Sequence, residues 1–161
     1  MNLKIDVSGT NIDLKQEQQL QAASRKWHQY LNSGKGEYTG WVDLPVAFDK
    51  DLLDSILAAA EEIRGKCDLL IVVGIGGSYL GAKAVIDALN GSRENCPEIV
   101  FAGFNMSAAY LDKVVKRMMR EDVCLCVISK SGMTVEPMLT YSILKEKLFG
   151  KYGKAAKDRI Y

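Results

Sequence analysis

Two short stretches carry the residue types that could hold an anion. In one, Gly74, Gly76 and Gly77 lead to Ser78; in the other, Ser129-Lys130-Ser131-Gly132-Met133-Thr134 gathers three hydroxyls, a lysine and a glycine. Each follows an apolar run rich in β-branched residues, Leu69 to Val73 and Val123 to Ile128, and each precedes apolar residues at helical spacing. A strand, a glycine turn and a helix in that order leave unpaired N–H groups and the positive end of a helix dipole aimed at one spot. Backbone, hydroxyl and ammonium donors around one dianion make a phosphate site. One hydroxyl would suffice to cap a helix. Three exceed what capping needs.

Spacing restricts which phosphate ligand fits. From Gly74 the chain reads GIGGSYLG, so against the dinucleotide fingerprint G-x-G-x-x-G the third glycine arrives two residues late, at Gly81. The end of the next strand, FAGFN at Phe101 to Asn105, offers no acid for a ribose hydroxyl. Gly76 and Gly81 have the separation of a P-loop, but Ala82 precedes Lys83 and Ala84 follows it where a hydroxyl should bind magnesium. Both NAD binding and ATP hydrolysis are therefore disfavoured.

For the two turns to meet, their strands must lie in one sheet with the carboxyl ends together. Leu69 to Val73 reads as a strand buried on both faces, Glu98 to Gly103 as a short strand, and Val123 to Ile128 as another apolar strand. Ser78 is expected to N-cap a helix carrying Leu80, Ala84, Val85, Ala88 and Leu89. A second helix is expected over Ser107 to Arg120 with Ala108, Leu111, Val114, Val115 and Met118 inward. A third spans Thr134 to Phe149, with Pro137 in its first turn, where a missing N–H costs little. Glu136 sits at that helix start, where a negative charge meets the dipole favourably, and reads as structural. The alternation predicts an α/β fold, a doubly wound parallel sheet with helices on both faces and right-handed crossovers. Ligands of such sheets gather outside the carboxyl ends of the strands, where both turns fall.

An appendage over residues 1–48 precedes the domain proper, 49–161. Leu3, Ile5 and Val7 alternate with polar residues, as in an edge strand or arm. Leu14 to Leu31 reads as an amphipathic helix through Leu20, Ala23, Trp27, Tyr30 and Leu31, stopped by Asn32-Ser33-Gly34. Gly34 to Pro45 reads as a linker, and a helix from Asp49 to Gly65 follows with Leu52, Leu53, Ile56, Leu57 and Ala60 on one side. His28, the only histidine, lies in the first helix, far in sequence from both turns, and is not read as a catalyst.

The 161 residues, 48% hydrophobic and 25% charged, suit one α/β domain with a substantial core. Net charge is +1, and no basic run is interleaved with aromatics, which excludes the electrostatic footprint of a nucleic-acid binder. The lysines from Lys145 to Lys157 read as the solvated face of a helix. No basic segment leads into a long apolar one at the start, and no run approaches the roughly 18 residues a membrane span needs, so no membrane partner and a cytoplasmic location are expected. Cys124 and Cys126 lie two apart in a strand and read, with Cys67 and Cys96, as free thiols rather than a zinc site.

GIGGSYLG at Gly74 to Gly81 and ISKSGMTVEP at Ile128 to Pro137, with WVDLP at Trp41 to Pro45 before them, resemble the flavodoxin-like sugar-isomerase (SIS) domain of the glucose-6-phosphate isomerase family in its shorter bacterial form. The resemblance implies a substrate phosphate held by Ser78, Ser129, Ser131 and Thr134, with the Gly76-Gly77 turn and Lys130 completing the pocket. Met133 stands where relatives often carry another threonine. The family's reaction interconverts glucose 6-phosphate and fructose 6-phosphate in glycolysis and gluconeogenesis. The likeness implies a hexose 6-phosphate substrate, no metal or organic cofactor, and a homodimer in the full-length enzyme. In the family a downstream glutamate carries the proton between C2 and C1. An arginine in a G-G-R segment, a histidine and a C-terminal lysine assist it. This chain has no G-G-R, and its ending, Arg159-Ile160-Tyr161, looks like the start of another strand, so the base is expected downstream of Tyr161. Such a chain should bind and not turn over. The competing reading is a stand-alone SIS domain that senses a phosphosugar or regulates a partner enzyme; GIGGSYLG and the N-terminal region weigh against it.

Overall fold

The computed structural model describes residues 6, 8–11, 14–89 and 96–161. The strand expected at Leu3, Ile5 and Val7 lies outside them. The chain divides into two compact units, Met1–Leu53 and Asp54–Tyr161.

In the first unit, helix α1 spans Leu14–Leu31, as its periodicity indicates. The Asn32 side-chain amide donates to His28 O at 2.7 Å and Gly34 takes φ +68°, so the Asn-Ser-Gly stop acts as read. The stretch to Pro45 is a succession of turns. Helix α2, Lys50–Lys66, most of which belongs to the second unit, begins on Asp49, whose carboxylate accepts from the N–H of Asp51 at 2.9 Å and of Leu52 at 3.3 Å.

The second unit is built on three parallel strands, β1 (Leu69–Val73), β2 (Glu98–Ala102) and β3 (Val123–Val127), in the order β2-β1-β3. The run LLIVV becomes the central strand because it is apolar on both sides: Leu69, Ile71 and Val73 are fully buried and Val72 nearly so. Leu69 stands level with Glu98 on one side and Val123 on the other, which brings all three carboxyl ends to one rim.

Side chains alternate across this sheet. One face carries Leu69, Ile71, Val73, Ala102, Val123 and Leu125. It is covered by α4 (Ala108–Arg120) through Val114 and Met118 and by α5 (Val135–Tyr152) through Leu144 and Leu148. These pairs lie four residues apart, on one stripe of each helix. Tyr152 donates its hydroxyl to Asp122 Oδ1 at 3.0 Å, and Lys151 Nζ donates to the carbonyls of Met118 and Glu121 at 3.0 and 2.5 Å. That lysine satisfies orphan carbonyls at the end of α4. Leu70, Ile99 and Phe101 point to the other face, which α2 and α3 (Leu80–Ala88) border across a cavity of about 760 Å³.

Helix α3 departs from the expected inward row. Leu80, Val85 and Leu89 are 54, 58 and 60% exposed, Ala84 and Ala88 are exposed as well, and its half-buried residues are Lys83 and Ile86. A 3-10 turn at Gly76–Ser78 delays the helix to Leu80 and sets which row faces the sheet. Ala108, also expected inward, is exposed because it opens the first turn of α4, ahead of the stretch that lies over the strands. Past α5, Gly153–Arg159 forms a 3-10 helix, and Ile160-Tyr161 then adds parallel to β3, with Tyr161 N donating to Leu125 O and Val127 N to Tyr161 O, both at 2.9 Å. Of the strand start read at Arg159-Ile160-Tyr161, Ile160 and Tyr161 pair with β3 through a single bridge, while Arg159 closes the 3-10 helix.

Candidate functional site

β1 leads by a crossover to β2 on one side, and β2 leads back over β1 to β3 on the other. The connections therefore part at the β1/β3 boundary, where a sheet of this kind opens a crevice at its carboxyl rim. Ser78 follows β1 and the Ser129 to Thr134 loop follows β3, so both hydroxyl-bearing turns leave from the two sides of that boundary.

Gly74 is where the turns touch. Its N–H donates to Ala102 O at 3.0 Å and the Ile128 N–H donates to Val73 O at 2.9 Å, which carries the ladder one step past the strands. A β-carbon on Gly74 would stand 3.2 Å from Ser78 Cβ and 3.3 Å from Ile128 O, so the first turn packs on the start of the second. Any larger residue would wedge them apart.

Ser78 is half-buried and is not the N-cap expected. Ser78 N donates to Ile75 O at 3.1 Å and Tyr79 N to Gly76 O at 3.2 Å, which closes the 3-10 turn and leaves Tyr79 in the capping position of α3 with no side-chain cap. The Ser78 hydroxyl is thereby spared from capping. Gly76 opens this turn with φ +56°, a conformation that glycine adopts without strain.

The second turn has its own bonding. Ser129 Oγ accepts from Gly132 N at 2.9 Å and Ser131 Oγ accepts from Met133 N at 3.2 Å, with Gly132 at φ +67°. A hydroxyl has one proton to give and two lone pairs to receive with, so each serine still has its proton for an anion while its oxygen is held in place. Thr134 is the N-cap of α5 by position, yet its side chain makes no cap bond. Its hydroxyl stands at the positive end of an eighteen-residue helix. Lys130, Ser129 and Ser131 are exposed, and Glu136 lies in the first turn of α5.

The remaining candidates lie elsewhere. His28 is exposed on α1. Burial pushes the Cys67 thiol up to about 12, with Cys124 beside it the next cause, and burial also raises the thiols of Cys124 and Cys126. These are inert apolar groups. Among the described residues no cluster of His, Cys, Asp or Glu could hold a metal ion. The 760 Å³ cavity runs along β2 and is lined by Ile63, Lys83, Ile86, Ile99, Phe101 and Tyr110; none of Ser78, Ser129, Ser131 and Thr134 borders it. Sequence reasoning missed the aromatic packing at the end of β2, where Tyr79 stacks on Phe104 at 5.1 Å and the Tyr110 hydroxyl donates to Phe101 O at 2.6 Å. The aromatic-rich FAGFN was its visible trace.

A parallel sheet whose connections part at a switch point defines a domain of the doubly wound α/β class. Residues 51–160 match the family model described as Phosphoglucose isomerase, and the chain belongs to that family. It is 43% identical over 150 residues to the glucose-6-phosphate isomerase of Fusobacterium nucleatum, covering 88% of this chain and 33% of that protein. To that of Exiguobacterium sibiricum it is 45% identical over 146 residues, covering 83% and 32%. The chain thus spans about a third of the length of the curated relatives it matches. Among solved structures, a hypothetical protein from Thermus thermophilus superposes with a TM-score of 0.73 over 89% of this chain and 34% of the other, at 21% identity. A glucose-6-phosphate isomerase from Chlamydia trachomatis gives 0.56 over 67% of this chain and 21% of the other, at 29% identity.

Proposed function

We propose that this chain carries the substrate-phosphate site of an enzyme that interconverts glucose 6-phosphate and fructose 6-phosphate. The observation that supports it most is the contact at Gly74, which sets the Ser78 turn against the start of the Ser129 to Thr134 loop at the β1/β3 boundary. In this reading Ser78, Ser129, Ser131 and Thr134 give hydroxyl protons to the phosphate oxygens. The backbone of Gly76 and Gly77 lines the near side, Lys130 adds charge, and the α5 dipole favours the dianion.

Phosphate binding lowers the substrate and the transition state alike and speeds nothing unless a positioned base exploits it. The carboxylate nearest the loop in sequence, Glu136, is committed to the helix start. The chain by itself therefore binds without turnover. By likeness to the family, the whole protein is a cytoplasmic homodimer; no helix among the described residues is long and apolar enough to cross a membrane. Calorimetric titration with fructose 6-phosphate, ATP and NAD tests the reading. Binding of the hexose phosphate alone is the expected result, and binding of a nucleotide but no hexose phosphate would overturn it.

A further inference from the structure

We infer that Gly103 and Pro137 form a seat that fixes the position of the Ser129 to Thr134 loop, making Gly103 a positioning residue for the phosphate although it carries no donor side chain. This rests on the phosphate reading above. The loop is pinned at its start on the end of β1 and at its finish on the residue that follows β2. At its start, Ile128 N donates to Val73 O at 2.9 Å, and Ile128 O lies 3.3 Å from where a Gly74 β-carbon would be. At its finish, Pro137 is buried in the first turn of α5, three residues past Thr134. There the chain presses on Gly103: a β-carbon on Gly103 would meet Pro137 Cα and Val73 Cγ1, each at 3.0 Å.

Val73 is thus shared by both anchors. It is fully buried, and the Pro137 neighbour is a backbone atom rather than the end of a flexible chain. Gly103 also has φ +82°, so a side chain there is strained as well as crowded. A methyl group at position 103 must lift the start of α5 by a few tenths of an ångström. Thr134, the cap residue of that helix, moves with it. Pro137 suits the seat because its absent N–H would be an orphan in the first turn in any case, and its ring fills space against a bare backbone.

The test compares four variants of the full chain by titration with fructose 6-phosphate, reading affinity together with the backbone amide resonances of Gly132 and Thr134. Gly103→Ala should weaken binding about tenfold, the loss of roughly one charge-assisted hydrogen bond as Thr134 shifts, and displace both resonances before ligand is added. Pro137→Ala, which keeps the β-carbon and loses the ring, should weaken it by roughly threefold, a partial loss of the same hydrogen bond; it serves if Gly103→Ala does not fold. Leu148→Ala opens a cavity farther along α5 and should lower stability without changing affinity. Thr134→Val reports on the phosphate reading itself. If Thr134→Val weakens binding while folded Gly103→Ala and Pro137→Ala bind as the parent does, the seat is refuted and the site stands. Equal weakening in Leu148→Ala also refutes the seat. If the parent does not bind the phosphosugar, or Thr134→Val leaves affinity unchanged, the site reading fails and the seat with it.

Discussion

Thr134→Val separates the ligand's demand for a hydroxyl from the loop's demand for one. Valine keeps the shape and removes the donor. Because the Thr134 side chain makes no cap bond in α5, the loop loses nothing it uses, and the folded state should keep its stability within about 0.5 kcal/mol. Its hydroxyl sits at the helix start, so a hydrogen bond to a phosphate oxygen there is charge-assisted, of the order of 1.5–3 kcal/mol. Affinity for fructose 6-phosphate should therefore fall by a factor of about 10 to 150. Ser129→Ala sets the scale, because Ser129 Oγ already receives Gly132 N at 2.9 Å. Removing it frees that N–H to meet the phosphate directly and recovers part of the lost binding, so the affinity loss should be smaller than for Thr134→Val. Stability should fall more, by about 1 kcal/mol, as the turn bond disappears. Calorimetry gives the affinities and urea titration the stabilities. The reverse order of affinity losses, or no loss in either variant, would refute the assignment of the two hydroxyls.

Gly74→Ala should push the Ser78 turn from Ile128 O and cost about 1–3 kcal/mol of stability by overpacking, measured by urea unfolding. Arg117 pairs with Glu98 at 2.7 and 2.8 Å and with Glu121 at 2.8 Å, and its guanidinium holds both carboxyls below their usual range. Lowered carboxyl values contribute stability that is present above the unfolded-state value and lost as pH falls through the folded one. Arg117→Ala should therefore cost about 1 kcal/mol near neutrality, limited by the 64% exposure of the Glu98 side chain, and progressively less as pH falls through the lowered carboxyl values. Stability measured across that range checks the sign. In native protein a maleimide should label exposed Cys96 well before Cys67 or Cys124, whose buried thiols stay protonated, and mass spectrometry of the peptides reads the order.

Patterns that repeat along the chain were readable from the sequence, and contacts between distant segments were not. The bounds of β1 follow from an unbroken apolar run between Asp68 and Gly74, and those of α1 from its periodicity and its Asn-Ser-Gly stop. The parallel sheet with right-handed crossovers came from the alternation of strands and helices, whereas its order, β2-β1-β3, depends on contacts between distant segments. The Ser78 cap failed because the sequence of a glycine turn does not distinguish a 3-10 turn from the first turn of a helix; the two differ only in which carbonyl receives each N–H. The α3 row failed for a related reason, since periodicity shows that a stripe exists but not which elements stand opposite it. Lys151 reads as a solvated lysine in a basic stretch, yet it bonds carbonyls of α4 some thirty residues earlier. The Gly103 seat was likewise invisible, for it depends on Pro137 arriving from another element.

Two turns are proposed to act on one anion, and amide chemical shifts during titration with fructose 6-phosphate measure that directly. Resonances of Gly76 to Ser78 and of Ser129 to Thr134 should move together along a single binding curve. Movement confined to one turn, or concentrated along the β2 cavity at Ile99 and Phe101, would contradict it.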